Sequence, residues 1–166
     1  KGRATILSAL DALVAGEMLA GENAYQLDSG AKVEAQKRVC VSELPSTLVL
    51  QLKRFELDYE SLRHAKLNSE CAFPTSLDMM PYTTRGASAR AAGRPLDEAA
   101  WYELVGVVVH SGTAMYGHYY AYVRTADVWL AFNDQAVTPF DPARIPGECF
   151  GGSRPIPGAS SVSAME

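Results

Sequence analysis

The sequence predicts an α+β fold built mainly of antiparallel strands with few helices. Three observations point that way. Apolar residues recur at helical spacing near the start of the chain, over residues 6–14. Elsewhere they come in short runs bounded by Gly, Pro, Asn and Asp, as strands do. Two such runs, His118 to Val123 and Val128 to Phe132, lie so close in sequence that they fold back on each other as a hairpin.

Composition limits the function classes. With 166 residues, 48% of them hydrophobic and 20% charged, the chain can form one globular domain with a real core. A net charge of -4 argues against a nucleic-acid partner, which requires a basic face. No apolar run approaches the roughly 18 residues of a membrane span, so no membrane partner is expected. The chain opens at Lys1-Gly2 and enters a helical pattern almost at once, without signal peptide or initiator methionine. It reads as a piece of something longer. Cys40, Cys71 and Cys149 are odd in number and widely spaced, a poor disulfide framework that suits a reducing compartment. The cytoplasm is expected, with the nucleus as the alternative. No C-x-x-C occurs, so the usual structural zinc site is not expected.

In chain order, Ile6, Leu7, Leu10, Leu13 and Val14 predict a helix that Thr5 or Ser8 can cap and that ends near Gly16. Residues 17–30 are a polar, glycine-punctuated connection. Alternation predicts strands over 33–41 and 47–55, with a turn at Leu44-Pro45-Ser46 and a hairpin loop at 56–64. Short strands follow at 65–68 and 71–73. Residues 83–100 are rich in Ala, Gly and Arg without an apolar period, which predicts a flexible insertion in preference to a basic binding patch. Tyr102 to His110 is the most hydrophobic strand and is expected at the sheet centre. Val137 to Phe140 predicts a last strand. Asp141-Pro142 has the form of an N-cap and first helical residue, with Pro146 keeping that helix short. Residues 153–166 read as a linker or disordered tail after a domain spanning 1–152.

The hairpin holds the candidate chemistry. A two-residue loop at 125–126 pairs position 118 with 133; a three-residue loop pairs it with 134. Either register brings the His118 imidazole beside Asn133 and Asp134. A histidine becomes a useful general base when an acceptor holds its second nitrogen. The ordinary alternative is a satisfied strand histidine beside a turn.

Several segments match one family in order. Leu44-Pro45, Leu48 and Gln51-Leu52-Lys53-Arg54-Phe55 resemble the "LP..L..QLKRF" strand of ubiquitin-specific proteases. Phe73-Pro74 with Leu77-Asp78 resembles "FP..LD", and Tyr102-Glu103-Leu104 to His110-Ser111-Gly112 resembles "YEL.gV.vHSG". Gly117-His118-Tyr119 is similar to the family's histidine box, Phe132-Asn133-Asp134 to its "F.D/ND" box, and Cys149-Phe150-Gly151-Gly152 to the ending of its very large members.

The resemblance implies the C-terminal half of a papain-like cysteine protease domain with finger, palm and thumb regions. It implies His118 as base, Asn133 as the residue that orients it, and Asp134 as an assistant. Gly117 and the loop 111–117, with Ser111 and Gly112, correspond to a mobile loop beside the site. Tyr119 walls the channel for ubiquitin's Gly-Gly tail, and His110 shapes the site. The implied partners are ubiquitin, ubiquitinated proteins and the upstream half of the same domain. The family's N-terminal cysteine box has no counterpart here. Cys40 and Cys71 read as small buried hydrophobes, and Cys149 lies where the family places no catalytic group. The chain is therefore expected to lack its nucleophile and to be inactive alone. Family fingers often carry Y-x-C-x-x-C zinc ligands; Leu27 and Gly30 stand at those positions, so neither a metal nor another cofactor is expected. The rival expectation is a non-catalytic ubiquitin-binding or scaffold module of the same fold.

Overall fold

In the computed structural model, which describes residues 4–60, 62–96 and 98–152, Thr5 caps helix α1 (Ile6–Val14). The Thr5 hydroxyl accepts from the Ser8 N–H at 3.0 Å, and the Ser8 hydroxyl accepts in return from Thr5 N–H at 3.3 Å. This reciprocal box satisfies two of the donors that a helix start leaves open. Gly16, at φ +81, ends the helix. Ile6, Leu10 and Val14 bury one face, while Leu7 and Leu13 remain exposed.

The expected polar connection at 17–30 is a nested ribbon. Strand β1 (Glu17–Leu19), β2 (Tyr25–Gln26), β3 (Lys32–Val33) and β4 (Ala35–Lys37) pair as β1 with β4 and β2 with β3, all antiparallel. The expected strand 33–41 is thus interrupted at Glu34 and ends with β4 at Lys37, after which Val41 makes an isolated bridge to Thr83. Leu27 and Gly30 form the ribbon tip, where Gly30 N–H donates to Leu27 O at 2.8 Å.

Residues 47–54 form no strand. Leu48 and Leu52 turn into the core, but Leu50 breaks the alternation by staying outside with Val49. Arg54 anchors the end of this segment: its guanidinium donates to Leu67 O, Ser69 O and Phe150 O at 2.8 to 3.0 Å. Strand β5 (Phe55–Asp58) and β6 (Arg63–Lys66) then make a hairpin with a shorter turn than expected. The expected strand at 71–73 reduces to one bridge from Ala72 to Thr5.

Strand β7 (Ser76–Asp78) leads into the stretch expected to be a flexible insertion, which instead holds helix α2 (Thr84–Ala91). Its buried face consists of Gly86 and Ala87, too small to give an apolar period. Thr83 caps it, accepting from Gly86 N–H at 3.0 Å. Asp78 holds both ends of the excursion, accepting from Met80 N–H at 2.9 Å and Ala100 N–H at 2.8 Å. Strand β8 (Trp101–Glu103) returns to pair with β7.

Strands β9 (Gly106–Gly112), β10 (Gly117–Thr125), β11 (Val128–Asn133) and β12 (Ala136–Pro139) form one antiparallel sheet in the order β12-β11-β10-β9. The most hydrophobic strand therefore lies at an edge, separated from β8 by Leu104 and Val105. Asp141 caps a 3-10 turn at Pro142–Arg144, and Pro146 sits in the first turn of α3 (Ile145–Cys149), where proline starts a helix and does not cut it short. One core packs α1 against Cys71, Met79 and Tyr82; the second joins Tyr122, Phe140 and Ile145; Phe73 touches both. No helix among the described residues is long and apolar enough to cross a membrane. The expected tail, 153–166, lies outside the described residues.

Gly86 tests the placement of α2. Ala exceeds Gly in helix propensity by about 1 kcal/mol, so Gly→Ala in a loosely attached helix stabilises. Here a Cβ would lie 2.2 Å from Met80 O. Gly86→Ala is therefore expected to destabilise by about 1–3 kcal/mol in urea denaturation; stabilisation would mean that α2 does not pack on residues 80–82.

Candidate active site

The turn between β10 and β11 is Ala126-Asp127, with Ala126 at φ +54, and Thr125 pairs with Val128. The ladder runs to Ala121 opposite Phe132. Neither expected register is realised: carried further, this ladder sets position 118 beyond both 133 and 134. His118 instead reaches Asn133 diagonally across the sheet face, a separation that a long side chain spans. His118 Nε2 lies 2.5 Å from Asn133 Oδ1 and 3.8 Å from Asp134 Oδ2. Asp134 follows the end of β11 in the left-handed region, φ +52, which Asp tolerates. All three expected catalytic residues thus meet, with Asn133 in contact and Asp134 at ion-pair distance.

An amide oxygen only accepts, so Nε2 carries the proton and donates to Asn133. In the neutral ring this leaves Nδ1 as the basic nitrogen. His118 is about half exposed, with side-chain accessibility of 47%. A base held in this way can take a proton from a group brought against its open face.

Of the five expected binding residues, His110, Gly117 and Tyr119 line a neighbouring cleft of about 310 Å³ together with Phe55, Met115 and Tyr116, while Ser111 and Gly112 do not line it. His110 packs edge-on to Phe55 at 5.1 Å and tilted against Tyr119 at 4.6 Å. Gly117 is required because a Cβ there would lie 2.1 Å from His110 Nε2. Gly112, at φ +110, closes the loop, and Thr113 N–H donates to Tyr116 O at 2.8 Å. Ser111 pairs with His118 across the ladder. His110 Nδ1 is buried and has no hydrogen-bond partner among the described residues. Burial, and then the nearby Lys66 ammonium, hold its pKa below the ordinary histidine value. His110 is therefore a neutral packing ring beside the site. Phe55 and Lys66 escaped sequence reasoning because they reach β9 from a hairpin distant in sequence; the "LKRF" motif was the only available signal for Phe55.

The cysteines stand apart from this cluster. Cys71 is buried in the first core. Cys40 is half-buried and outside any strand. Cys149 packs on the second core, where burial and the Glu148 carboxylate push its pKa up to about 11. At pH 8 only about one Cys149 in a thousand would be thiolate. Brief iodoacetamide treatment of the folded chain at pH 8 is expected to leave Cys149 unmodified by peptide mass spectrometry; rapid labelling would overturn its assignment as an inert core thiol.

A family model described as ubiquitin carboxyl-terminal hydrolase matches residues 10–155. The chain is 39% identical over 171 residues to the probable ubiquitin carboxyl-terminal hydrolase FAF of Drosophila melanogaster, aligning 92% of this chain with 6% of that protein. It is 37% identical over 166 residues to ubiquitin carboxyl-terminal hydrolase 34 of Homo sapiens, aligning 89% of this chain with 5% of that protein. Among solved structures it is similar to a chain of the SAGA Ubp8/Sgf11/Sus1/Sgf73 DUB module bound to ubiquitin aldehyde, with TM-score 0.73 and 28% identity over 91% of this chain and 32% of that one. A yeast SAGA DUB module structure gives TM-score 0.70 and 31% identity over 88% of this chain and 31% of that one.

Proposed function

This chain belongs to the ubiquitin carboxyl-terminal hydrolase family, and from that membership we propose that it carries the base and the orienting amide of a thiol-protease site that cleaves after ubiquitin's C-terminal glycine. The 2.5 Å contact between His118 Nε2 and Asn133 Oδ1 carries the reading. The nucleophile is a thiol from sequence upstream of Lys1. His118 Nδ1 takes the thiol proton, and the thiolate attacks the glycyl carbonyl. The imidazolium then protonates the leaving lysine amine, and water, deprotonated by the same nitrogen, hydrolyses the thioester. Asn133 holds the ring in the tautomer this requires. The cleft beside Tyr119 and His110 takes the Gly-Gly tail, and the loop 111–117 frames it. Ubiquitin and ubiquitinated proteins are the proposed partners, and the cytoplasm or nucleus the proposed location.

In the full-length parent, His118→Ala is expected to abolish turnover of a fluorogenic ubiquitin substrate. Asn133→Ala should lower kcat by ~10² to ~10³, less than the ~10⁴ of a misoriented serine-protease triad, because a thiol is already partly ionised. Asp134→Ala should cost under about tenfold, since at 3.8 Å it supplies charge without a hydrogen bond. A silent Asn133→Ala beside a crippled Asp134→Ala would reverse the two roles. Wild-type parent that binds ubiquitin but never cleaves it would identify a scaffold module instead.

The purified 166-residue chain should not cleave the same substrate. Turnover lost on Cys149→Ser would place the nucleophile within the chain, and turnover surviving alkylation of all three cysteines would refute the thiol mechanism.

A further inference from the structure

His118 stands on a half of β10 that is held from one side. Residues 117 to 120 pair with Gly112 to Val109 of β9, whereas the pairing with β11 begins at Ala121. The backbone of the base therefore sits where its rung partner, Ser111, puts it. Ser111 is bracketed by His110 and Gly112, and one side chain reaches both of their carbonyls. Lys66 Nζ donates to His110 O at 2.8 Å and to Gly112 O at 3.1 Å.

These carbonyls lie on the outer edge of β9, which pairs with no further strand among the described residues. Two charge-assisted bonds from an ammonium grip that edge in place of a strand. Lys66 lies directly opposite Phe55 in the β5–β6 hairpin, and Phe55 meets the His110 ring at 5.1 Å. One rung of the hairpin therefore holds residue 110 by backbone and ring together. The adjoining rung, Gly112 opposite Gly117, is closely packed: a Cβ on Gly112 would lie 2.5 Å from Tyr116 O, and one on Gly117 2.1 Å from His110 Nε2. A shift of the β9 edge passes through Ser111 to His118.

Resting on the reading of His118 as base, we propose that Lys66 is a positioning residue: through the carbonyls of His110 and Gly112 it holds the Ser111–His118 rung so that the imidazole meets Asn133. Lys66 touches no reacting atom, so its effect falls on kcat. A misplacement of about 1 Å can cost ~10²-fold in rate.

The test uses the full-length parent with ubiquitin-fluorophore turnover, thermal melting, and NMR of the His118 side-chain nitrogens. Lys66→Met keeps the aliphatic stem and removes the donors. It is expected to lower kcat about 10- to 100-fold with KM changed less than about threefold, and to weaken the His118 Nε2–H signal of the bond to Asn133. Lys66→Arg, which still presents donors to both carbonyls, should restore at least half of the lost kcat. If Lys66→Met does not fold, Lys66→Gln carries the same test, because it removes the ammonium and its side chain ends one atom short of the position from which Nζ donates to both carbonyls. Unchanged kcat, a rise in KM alone, or an unchanged His118 signal would overturn the role. His118→Ala with wild-type turnover would overturn both the base and Lys66. His118→Ala inactive beside Lys66→Met at wild-type kcat would overturn Lys66 alone.

Discussion

The register of the β9–β10–β11 ladders is the constraint on which the site depends. With Thr125 opposite Val128, the upper part of β10 runs past the end of its pairing with β11. His118 then has β9 on one side and an open face on the other. Its contact with Asn133 is diagonal, so it requires both the two-residue turn at 126–127 and the correct level of the β9 rung. A one-residue slip would turn the imidazole to the opposite sheet face. Two tight glycines, Gly112 and Gly117, let β9 and β10 approach closely enough for this to hold.

Much of what joins the irregular segments is polar. Arg54 ties residues 67 and 69 to Phe150, Asp78 clasps both ends of the excursion that carries α2, and Lys66 ties the β5–β6 hairpin to β9. Each group serves backbone atoms outside the ladders, several of them part-buried. Several residues of the matching motifs thus have scaffolding work, and the geometry at His118 and Asn133 is downstream of it. Phe73 joins the two hydrophobic cores, so the α1 side and the sheet side of the molecule pack as one.

The second core shows how environment separates similar groups. Tyr122 stacks on Phe140 at 3.7 Å and donates to Glu148 at 3.2 Å, while Arg144 pairs with the same carboxylate. Burial first, and then Glu148, raise the Tyr122 pKa, and both act on Cys149 in the same direction. A carboxylate beside a half-buried thiol stabilises the thiol form, the opposite of what a nucleophile needs.

Local pattern alone determined α1, the existence of the β10–β11 hairpin, β12 and the Asp141 cap, because these depend on neighbours in sequence, while the choice of Thr5 over Ser8 as the α1 cap came from the structure. The ordered motifs named the family and singled out His118, Asn133 and Asp134. Other features depended on partners far along the chain. Residues 47–53 have the alternation of a strand but join no ladder among the described residues, and a strand exists only through its partner. Helix α2 hides its packing face in Gly86 and Ala87, and the smallness of Gly86 matters because Met80 lies against it. The most apolar strand lies at an edge with Val108 exposed, so its apolar run specified neither its neighbours nor its burial. The register at His118 turned on which two residues formed the turn, a difference too small for composition to carry. Lys66 was invisible in the sequence because its partners are the carbonyls of residues 110 and 112, and backbone oxygens leave no mark on amino-acid identity.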